Sequence, residues 1–307
     1  MNLNQLYYFR ELAEQQQYTR AAELLYISQP TLSVSIKQLE SELNCKLFRH
    51  NGHNVELTPY GRLFYSTVVK TLDVLDDGKR RLEQQISQDQ GNIHVACIPT
   101  HVGTLLPRLV KEYKQETETA PRIIYHDNPS LQICQGIQNG WYDIGITSYV
   151  EGFDNFNFIP FFYEPVIAIV SPDSDLAKID RISPEELRGE NLLTYTKEIE
   201  IGQSITNALL AKASDLKIEN RLHDELAIAG QVMTNNIVGV VADTVYLKGF
   251  DLHRIKLDLP KDTRQIYLAY DSERSMSPEF CNFLDFLKRQ KHHLTEHFPM
   301  EPIEDIE

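Results

Sequence analysis

The stretch LLYISQPTLSVSIKQLESEL, residues 24–43, places a proline near the start of an otherwise amphipathic helix. Leu32, Ile36, Leu39 and Leu43 recur at intervals of four, three and four, one stripe of an α-helix turned to a core. Ser28 fits as the N-cap. Its hydroxyl oxygen can accept from the free N–H groups of the first turn, and Pro30 then falls inside that turn, where a missing N–H costs nothing. The proline therefore marks a start and not a break. The opposite face carries Gln29, Ser33 and Lys37 in one i, i+4 row, with Thr31 and Ser35 beside it. Ser and Thr weaken a helix interior, so a merely solvated face is normally built from long charged residues. A helix that enters the DNA major groove instead needs short or planar side chains that reach base edges and phosphates. An ordinary helix with a Ser-rich exposed face is the alternative on this segment alone.

The flanking segments favour the groove. YTRAAELLYIS, residues 18–28, offers Thr19 as an N-cap and then Ala21, Ala22, Leu24 and Leu25, a short helix with small residues where a second helix comes close. With the brief turn around Ile27 and Ser28 the pair forms a helix-turn-helix. Upstream, Leu3, Leu6, Phe9 and Leu12 supply a covering helix. Downstream, KLFRHNGHNVELT, residues 46–58, sets Asn51-Gly52 between two strand-like runs, a hairpin signal that reads as a wing.

The combination of TRAAELL, SQPTLS, IKQLE, LF and LTPYG at these separations resembles the DNA-binding domain of LysR-type transcriptional regulators, and the likeness extends in weaker form along nearly the whole chain. The resemblance implies that Gln29, Pro30, Thr31 and Ser33 lie at or near base edges, that Lys37 and Arg49 hold phosphates, and that His53 at the wing tip completes the DNA-contacting set. Three departures stand out: Val34 where many relatives are polar or basic, a wing tip of His50, Asn51, Gly52, His53 and Asn54 in place of arginines, and Gln17 where a small hydroxyl is usual.

A formal net charge of −14 over 307 residues is unusual for a DNA binder, but it is unevenly placed. Residues 1–62 carry six basic and six acidic side chains, so the whole excess lies downstream, where it repels DNA from all but the N-terminal module. No apolar run has the length of a membrane span and no signal-peptide layout opens the chain, which predicts a cytoplasmic protein without membrane association. Cys45, Cys97, Cys134 and Cys281 lack any C-x-x-C or ligand spacing and are read as reduced, buried and structural. His292, His293 and His297 belong to a solvated tail, not a metal site.

Thr58 and Pro59 open a long helix with Phe64, Val68, Leu72, Leu75, Leu82 and Ile86 in a stripe close to a coiled-coil seam, ended by Gly91. A small winged helix sees only a half-site, so two-fold pairing through this helix is expected; packing on its own domain is the alternative. The resemblance implies the same dimer helix and a homotetramer built from two dimers. Beyond Gly91 strands alternate with helices, which predicts parallel sheets wound by crossovers, an α/β fold. Ligands in such sheets bind beyond the strand carboxyl ends, and Thr100, Ser130, Thr147 and Ser148 follow three successive strands. Thr100 and Ser130 could also be plain N-caps. The resemblance implies two periplasmic-binding-protein-like lobes with an effector cleft between them, to which Thr196, Gly202 and Gln203 contribute from the second. Asn235 and Asn236 replace a glycine-rich turn common in relatives, and Asn tolerates left-handed backbone.

The expected organisation is a winged helix-turn-helix over 1–58, a linker and dimerisation helix over 59–90, a first effector lobe over 91–162 and 267–291, a second over 163–266, and an acidic tail over 292–307. The expected function is a DNA-binding regulator of promoters, whose DNA bending responds to a small anionic or polar effector. It has no cofactor, and its partners are double-stranded DNA, a second copy of itself and, as a further candidate, RNA polymerase. An α/β enzyme with an appended nucleic-acid module is the alternative. It lacks support: no G-x-S-x-G, P-loop, dinucleotide fingerprint or H-E-x-x-H occurs, and Asp127, His101 and His126 have no evident order as a catalytic group. A solute-binding transport component would need export.

Overall fold

The computed structural model describes residues 1–51, 54–89, 91–291 and 294. Two compact units divide it, Met1–Glu83 and Gln84–Glu307. The wing residues Gly52 and His53 and the tail histidines lie outside the described residues, as does the acidic tail apart from Leu294.

The first unit holds helices α1 (Leu3–Gln15), α2 (Tyr18–Leu24) and α3 (Gln29–Glu42), an antiparallel hairpin of β1 (Phe48–Asn51) and β2 (Asn54–Leu57), and the first turns of α4 (Pro59–Asp89). Asn2 and Gln5 cap α1 reciprocally, each side chain accepting from the other's backbone N–H at 3.0 and 2.9 Å. Ser28 caps α3 as expected, its Oγ accepting from the Thr31 N–H at 3.3 Å, with Pro30 in the first turn. Thr19 does not cap α2. The helix begins at Tyr18, two residues earlier, and its cap is Gln17, whose side chain makes no capping bond. In the α2–α3 turn Tyr26 takes φ 55°, the left-handed geometry that redirects the chain.

Leu32, Ile36 and Leu39 bury the inner face of α3, and Phe9 of α1 sits fully enclosed, with Phe48 and Phe64 ring centroids both 5.3 Å away. Glu40 is the exception on that inner face, a buried carboxylate. Its Oε1 accepts from the N–H groups of Leu47 and Phe48 at 2.9 and 3.2 Å, and its Oε2 meets Lys46 Nζ at 2.7 Å, so it satisfies the backbone that leads into the wing.

The stripe along α4 divides. Val68 and Leu72 are buried in the winged-helix core, with Phe64 packed against it, so the first half of the predicted seam serves its own domain. Leu63, Val74, Leu82 and Ile86 remain exposed. Thr58 caps this helix, its Oγ1 accepting from Gly61 N–H at 3.0 Å.

In the second unit, β3 (Ile93–Cys97), β4 (Ile123–Asp127) and β5 (Ile144–Thr147) are parallel, and β6 (Phe156–Tyr163) and β13 (Gln265–Asp271) complete a five-stranded sheet in the order β4-β3-β5-β13-β6. Helices α5 (Pro99–Val102), α6 (Leu105–Glu116), α7 (Ser130–Gln138) and α10 (Pro278–Gln290) accompany it. The second sheet runs β10-β9-β11-β7-β12-β8, from β7 (Val166–Val170), β8 (Arg181–Ile182), β9 (Asn191–Tyr195), β10 (Lys217–Leu222), β11 (Val238–Ala242) and β12 (His253–Leu257), with α8 (Glu200–Lys212) and α9 (Glu225–Thr234). Each sheet has its own apolar core. Neither is purely parallel: β13 is antiparallel to β5 and β6, and β7 to β11 and β12. These are the strands that carry the chain from one sheet to the other and back, so they arrive against the direction of the wound strands. Before β11, Asn235 is extended at φ −134° and Asn236 has no positive φ, so the turn does not use left-handed asparagine.

Glu40→Leu is expected to lower stability by about 2–4 kcal/mol, since two buried N–H groups lose their acceptor, whereas Glu40→Gln keeps an acceptor and loses less; urea unfolding of both variants checks this. A Cβ on Gly61 would lie 2.1 Å from the Leu47 carbonyl oxygen, so Gly61→Ala is expected to cost about 1–3 kcal/mol in the same measurement.

Candidate functional site

The outer face of α3 presents Gln29, Pro30, Thr31, Val34 and Lys37 to solvent, with Ser33 half-buried beside them. Lys37 has no ion-pair partner among the described residues. Thr31 is less free, its Oγ1 lying 2.7 Å from the capping Ser28 Oγ. Arg49 is already paired. It faces Glu56 across the hairpin, Nη2 to Oε2 at 3.0 Å, and Asn51 donates to the same carboxylate. The Asn51 hydrogen bond and then Arg49 hold the Glu56 carboxyl below its ordinary range. His53, the remaining predicted contact, lies outside the described residues.

In the second unit a cavity of about 700 Å³ takes walls from both lobes. The first lobe contributes Ile98, Pro99, Thr100, Ser130, Leu131 and Ser148, all at the carboxyl ends of β3, β4 and β5. Three of the seven predicted effector residues, Thr100, Ser130 and Ser148, thus meet on one wall. Neither Thr100 nor Ser130 is an N-cap: those places belong to Ile98 and Pro129. Ser130 Oγ accepts from the Ser148 N–H at 3.3 Å, which ties two of the hydroxyl residues together.

The other four do not line the cavity. Thr147 is fully buried with its Oγ1 unpartnered, because β5 is the central strand of its sheet and buried along its whole length. Thr196 Oγ1 accepts from the Glu198 N–H at 3.4 Å and shapes its own loop. Gln203 donates to the Lys197 carbonyl at 2.9 Å, closing the same loop. Gly202 is needed for close packing, since a Cβ there would stand 2.0 Å from the Thr196 carbonyl oxygen.

From the second lobe the wall takes Tyr195, Glu198, Glu200, Asp224, Glu225 and Tyr246, and Arg264 enters from the return crossing just before β13. Arg264 Nε reaches Glu164 Oε2 at 3.2 Å and its Nη1 donates to Ser148 Oγ. His101 Nε2 also lies 3.2 Å from Glu164 Oε1, without hydrogen-bond alignment. Burial alone would raise the Glu164 carboxyl, but the facing His101 and Arg264 reverse that and hold it well below the usual range. Glu225 Oε1 accepts from Thr244 Oγ1 at 3.0 Å, and burial raises its carboxyl above the ordinary value. Sequence reasoning missed this acidic wall and Arg264. Asp224 does carry a local signal, an N-cap whose Oδ1 accepts from the Ala227 N–H at 2.8 Å, but Glu164 and Arg264 are a hundred residues apart and share no pattern.

The residues considered for an enzyme are engaged separately: His101 with Glu164 and the Phe162 edge, His126 stacked on His94 with 3.0 Å between Nε2 and Nδ1. No group of three or more metal-ligating side chains occurs among the described residues. All four cysteines are free. Cys97 and Cys134 are buried as expected, and burial raises both thiols, Cys134 to about 12. Cys281 is exposed and Cys45 half-buried, contrary to the expectation of uniform burial; Cys281 falls on the solvent side of α10. No helix among the described residues is long and apolar enough to cross a membrane.

Comparison with known proteins agrees with these features. The family model described as the bacterial regulatory helix-turn-helix protein, lysR family, matches residues 3–62, and the LysR substrate binding domain matches residues 87–291. The HTH-type transcriptional regulator YybE of Bacillus subtilis (strain 168) is 27% identical over 295 residues, 94% of this chain and 98% of its own length. Further curated relatives at 29–31% identity align over 61–66% of their lengths. Among solved structures, full-length CbnR complexed with its target DNA matches with a TM-score of 0.64 at 19% identity, over 94% of this chain and 99% of that one. The effector binding domain of QuiR in complex with shikimate matches with a TM-score of 0.61 at 22% identity, over 68% of this chain and 99% of that one. At such identities the structural matches establish the fold: a winged helix-turn-helix, a long helix and a two-lobed, periplasmic-binding-protein-like domain. With two family models covering most of its length, this chain belongs to the LysR-type family of DNA-binding transcriptional regulators with an effector-binding domain.

Proposed function

We propose that α3 reads promoter DNA with Gln29, Thr31 and Ser33 at base edges, Pro30 beside them, Lys37 and Arg49 on phosphates, and His53 at the wing. The supporting observation is a capped, rigid helix whose exposed face consists of short donors and one unpaired lysine, the surface a major groove admits. Val34 adds an exposed methyl pair suited to a thymine methyl. CbnR, of like fold, is seen on its target DNA. The exposed α4 residues Leu63, Val74, Leu82 and Ile86 are the surface through which two copies pair, and two such dimers form the working tetramer, with RNA polymerase as a further partner in the cytoplasm.

The same reading divides the chain into a winged helix over 1–58, a linker helix over 59–90, lobes over 91–162 with 267–291 and over 163–266, and a tail over 292–307. The cavity between the lobes receives a small polar effector, as the QuiR domain receives shikimate. Thr100, Ser130 and Ser148 are its hydrogen-bonding wall. Thr147 lies buried behind that wall, and Thr196, Gly202 and Gln203 shape the second-lobe loop that carries Glu198 and Glu200, none of the four touching the ligand. Effector binding alters the relative placement of the sensor domains in the tetramer and with it the spacing and bend that paired reading helices impose on DNA. Sensing through Cys97 or Cys134 is disfavoured, because burial holds both thiols protonated.

In fluorescence anisotropy with DNA from upstream of the protein's own gene against a shuffled control, Gln29→Ala and Ser33→Ala are each expected to weaken specific binding by about 1–3 kcal/mol with folding intact. Lys37→Ala is expected to weaken both DNAs alike and to lower the salt slope by about one; a sequence-selective loss in that variant would remove Lys37 from the phosphates. Thr100→Val is expected to blunt the effector response while leaving DNA binding unchanged, read by the same titration with and without effector.

A further inference from the structure

Of two buried carboxylates, Glu225 on the cavity wall and Glu164 behind the wall residue Arg264, only Glu164 has a counter-charge. Glu164 faces Arg264 and His101 at 3.2 Å each. Glu225 is 7% exposed and lies on the cavity wall, yet no cation pairs with it among the described residues. Its hydrogen-bond partners are neutral, the Thr244 hydroxyl and its own backbone N–H at the start of α9, and the charges nearest it, Glu164 and Asp224, are of its own sign. Neutral donors do not cancel a charge removed from water, and burial accordingly outweighs them in raising this carboxyl.

The surroundings deepen the deficit. Glu198, Glu200 and Asp224 share the wall and likewise have no ion pair among the described residues. The guanidinium on the wall, Arg264, is already engaged by Glu164 and Ser148, which leaves exposed His223 as the other titratable nitrogen there. Ile98, Leu131, Ile199, Ile201 and Leu226 make the rest of the lining apolar. A carboxylate ligand would enter a space with four unpaired acids, whereas an ammonium would find a buried, pre-positioned partner.

We infer that the effector carries an ammonium group on an apolar body, docked on Glu225, with its remaining polar groups on the Ser130 and Ser148 side of the cavity. The inference rests on the cavity being the effector site. It narrows the expectation of an anionic or polar effector to a polar one bearing positive charge, which need not lack a carboxylate but cannot rely on one alone.

The test uses the full-length protein and three ring-matched probes, benzylamine, benzyl alcohol and benzoate, by isothermal titration and thermal shift. Benzylamine is expected to bind at least tenfold more tightly than benzoate. Glu225→Gln is expected to weaken benzylamine about tenfold or more while moving benzyl alcohol by less than about threefold. In the wild type, benzylamine affinity is expected to fall as pH drops from 8 to 5. The ligand stays protonated throughout, while Glu225, whose carboxyl burial raises above its ordinary value, loses the charge that attracts it once the pH is low enough to protonate it; the part of the fall that vanishes in Glu225→Gln is the part due to Glu225 rather than to His223. This comparison needs no variant. Benzoate binding more tightly than benzylamine, or benzylamine indifferent to both Glu225→Gln and pH, overturns the ammonium inference while leaving the cavity as the site. Failure of all three probes to bind, or binding unaltered by the cavity-filling Ser130→Trp, overturns the cavity reading itself and the inference with it.

Discussion

The second unit depends on one buried ion pair, Glu164 with Arg264, placed where the chain leaves its first sheet and where it returns. The same two residues are also joined through the backbone, Glu164 N–H donating to the Arg264 carbonyl at 2.9 Å. Buried pairs of this kind are poor sources of net stability, because desolvating two ions offsets much of their attraction, but removing one partner typically costs about 3–5 kcal/mol. The pair therefore acts less as glue than as a specification: it admits one alignment of the two crossing strands. Ser148, at the end of β5, is drawn into it by Arg264, so the crossing and the hydroxyl wall of the cavity share one hydrogen-bonded frame. Its second consequence is electrostatic. Arg264 reaches the cavity already neutralised, and the sign of the cavity is left to the acids opposite.

What was legible in the sequence tracks how local its cause is. Ser28 and Pro30 announced the start of α3 because capping acts within one turn, and the pairing of β1 with β2 was announced by the Asn51-Gly52 turn signal between them. Thr19 was misread because two polar residues, Gln17 and Thr19, stood near the start of α2, and the helix begins two residues earlier than a Thr19 cap would have it. The α4 stripe was read as a single seam. A helix that changes neighbours along its length presents one face to its own core and another to solvent, and heptad spacing cannot tell them apart. Among site residues, Thr100, Ser130 and Ser148 could be found from strand ends alone. Glu225, Arg264 and Glu164 could not, since their meaning comes from which charges face which across the fold.

The reading head is nearly neutral, and the structure shows how that neutrality is distributed. Glu40 is occupied with backbone donors inside, and Arg49 and Glu56 cancel on the wing. Solvent screens an exposed pair such as Arg49–Glu56, so on the proposed reading the arginine exchanges its carboxylate for a phosphate at little cost. On the proposed reading, non-specific attraction to DNA is then modest and discrimination falls to the short donors of α3, with an acidic remainder that repels DNA elsewhere.

A ligand changes a protein's state only by its difference in affinity between states. Shifting a two-state equilibrium from 1:99 to 99:1 needs about 10⁴-fold, or roughly 5.5 kcal/mol. One charge-assisted hydrogen bond supplies about 1.5–3 kcal/mol. Glu225 alone is therefore insufficient for a full switch, however well placed. The shortfall must come from contacts that exist together only when the lobes are correctly spaced, and the hydroxyls of Ser130 and Ser148 on the opposite wall are the groups positioned to supply them. A compound that satisfies one wall can bind, but only one that spans both can make binding depend on the distance between the lobes.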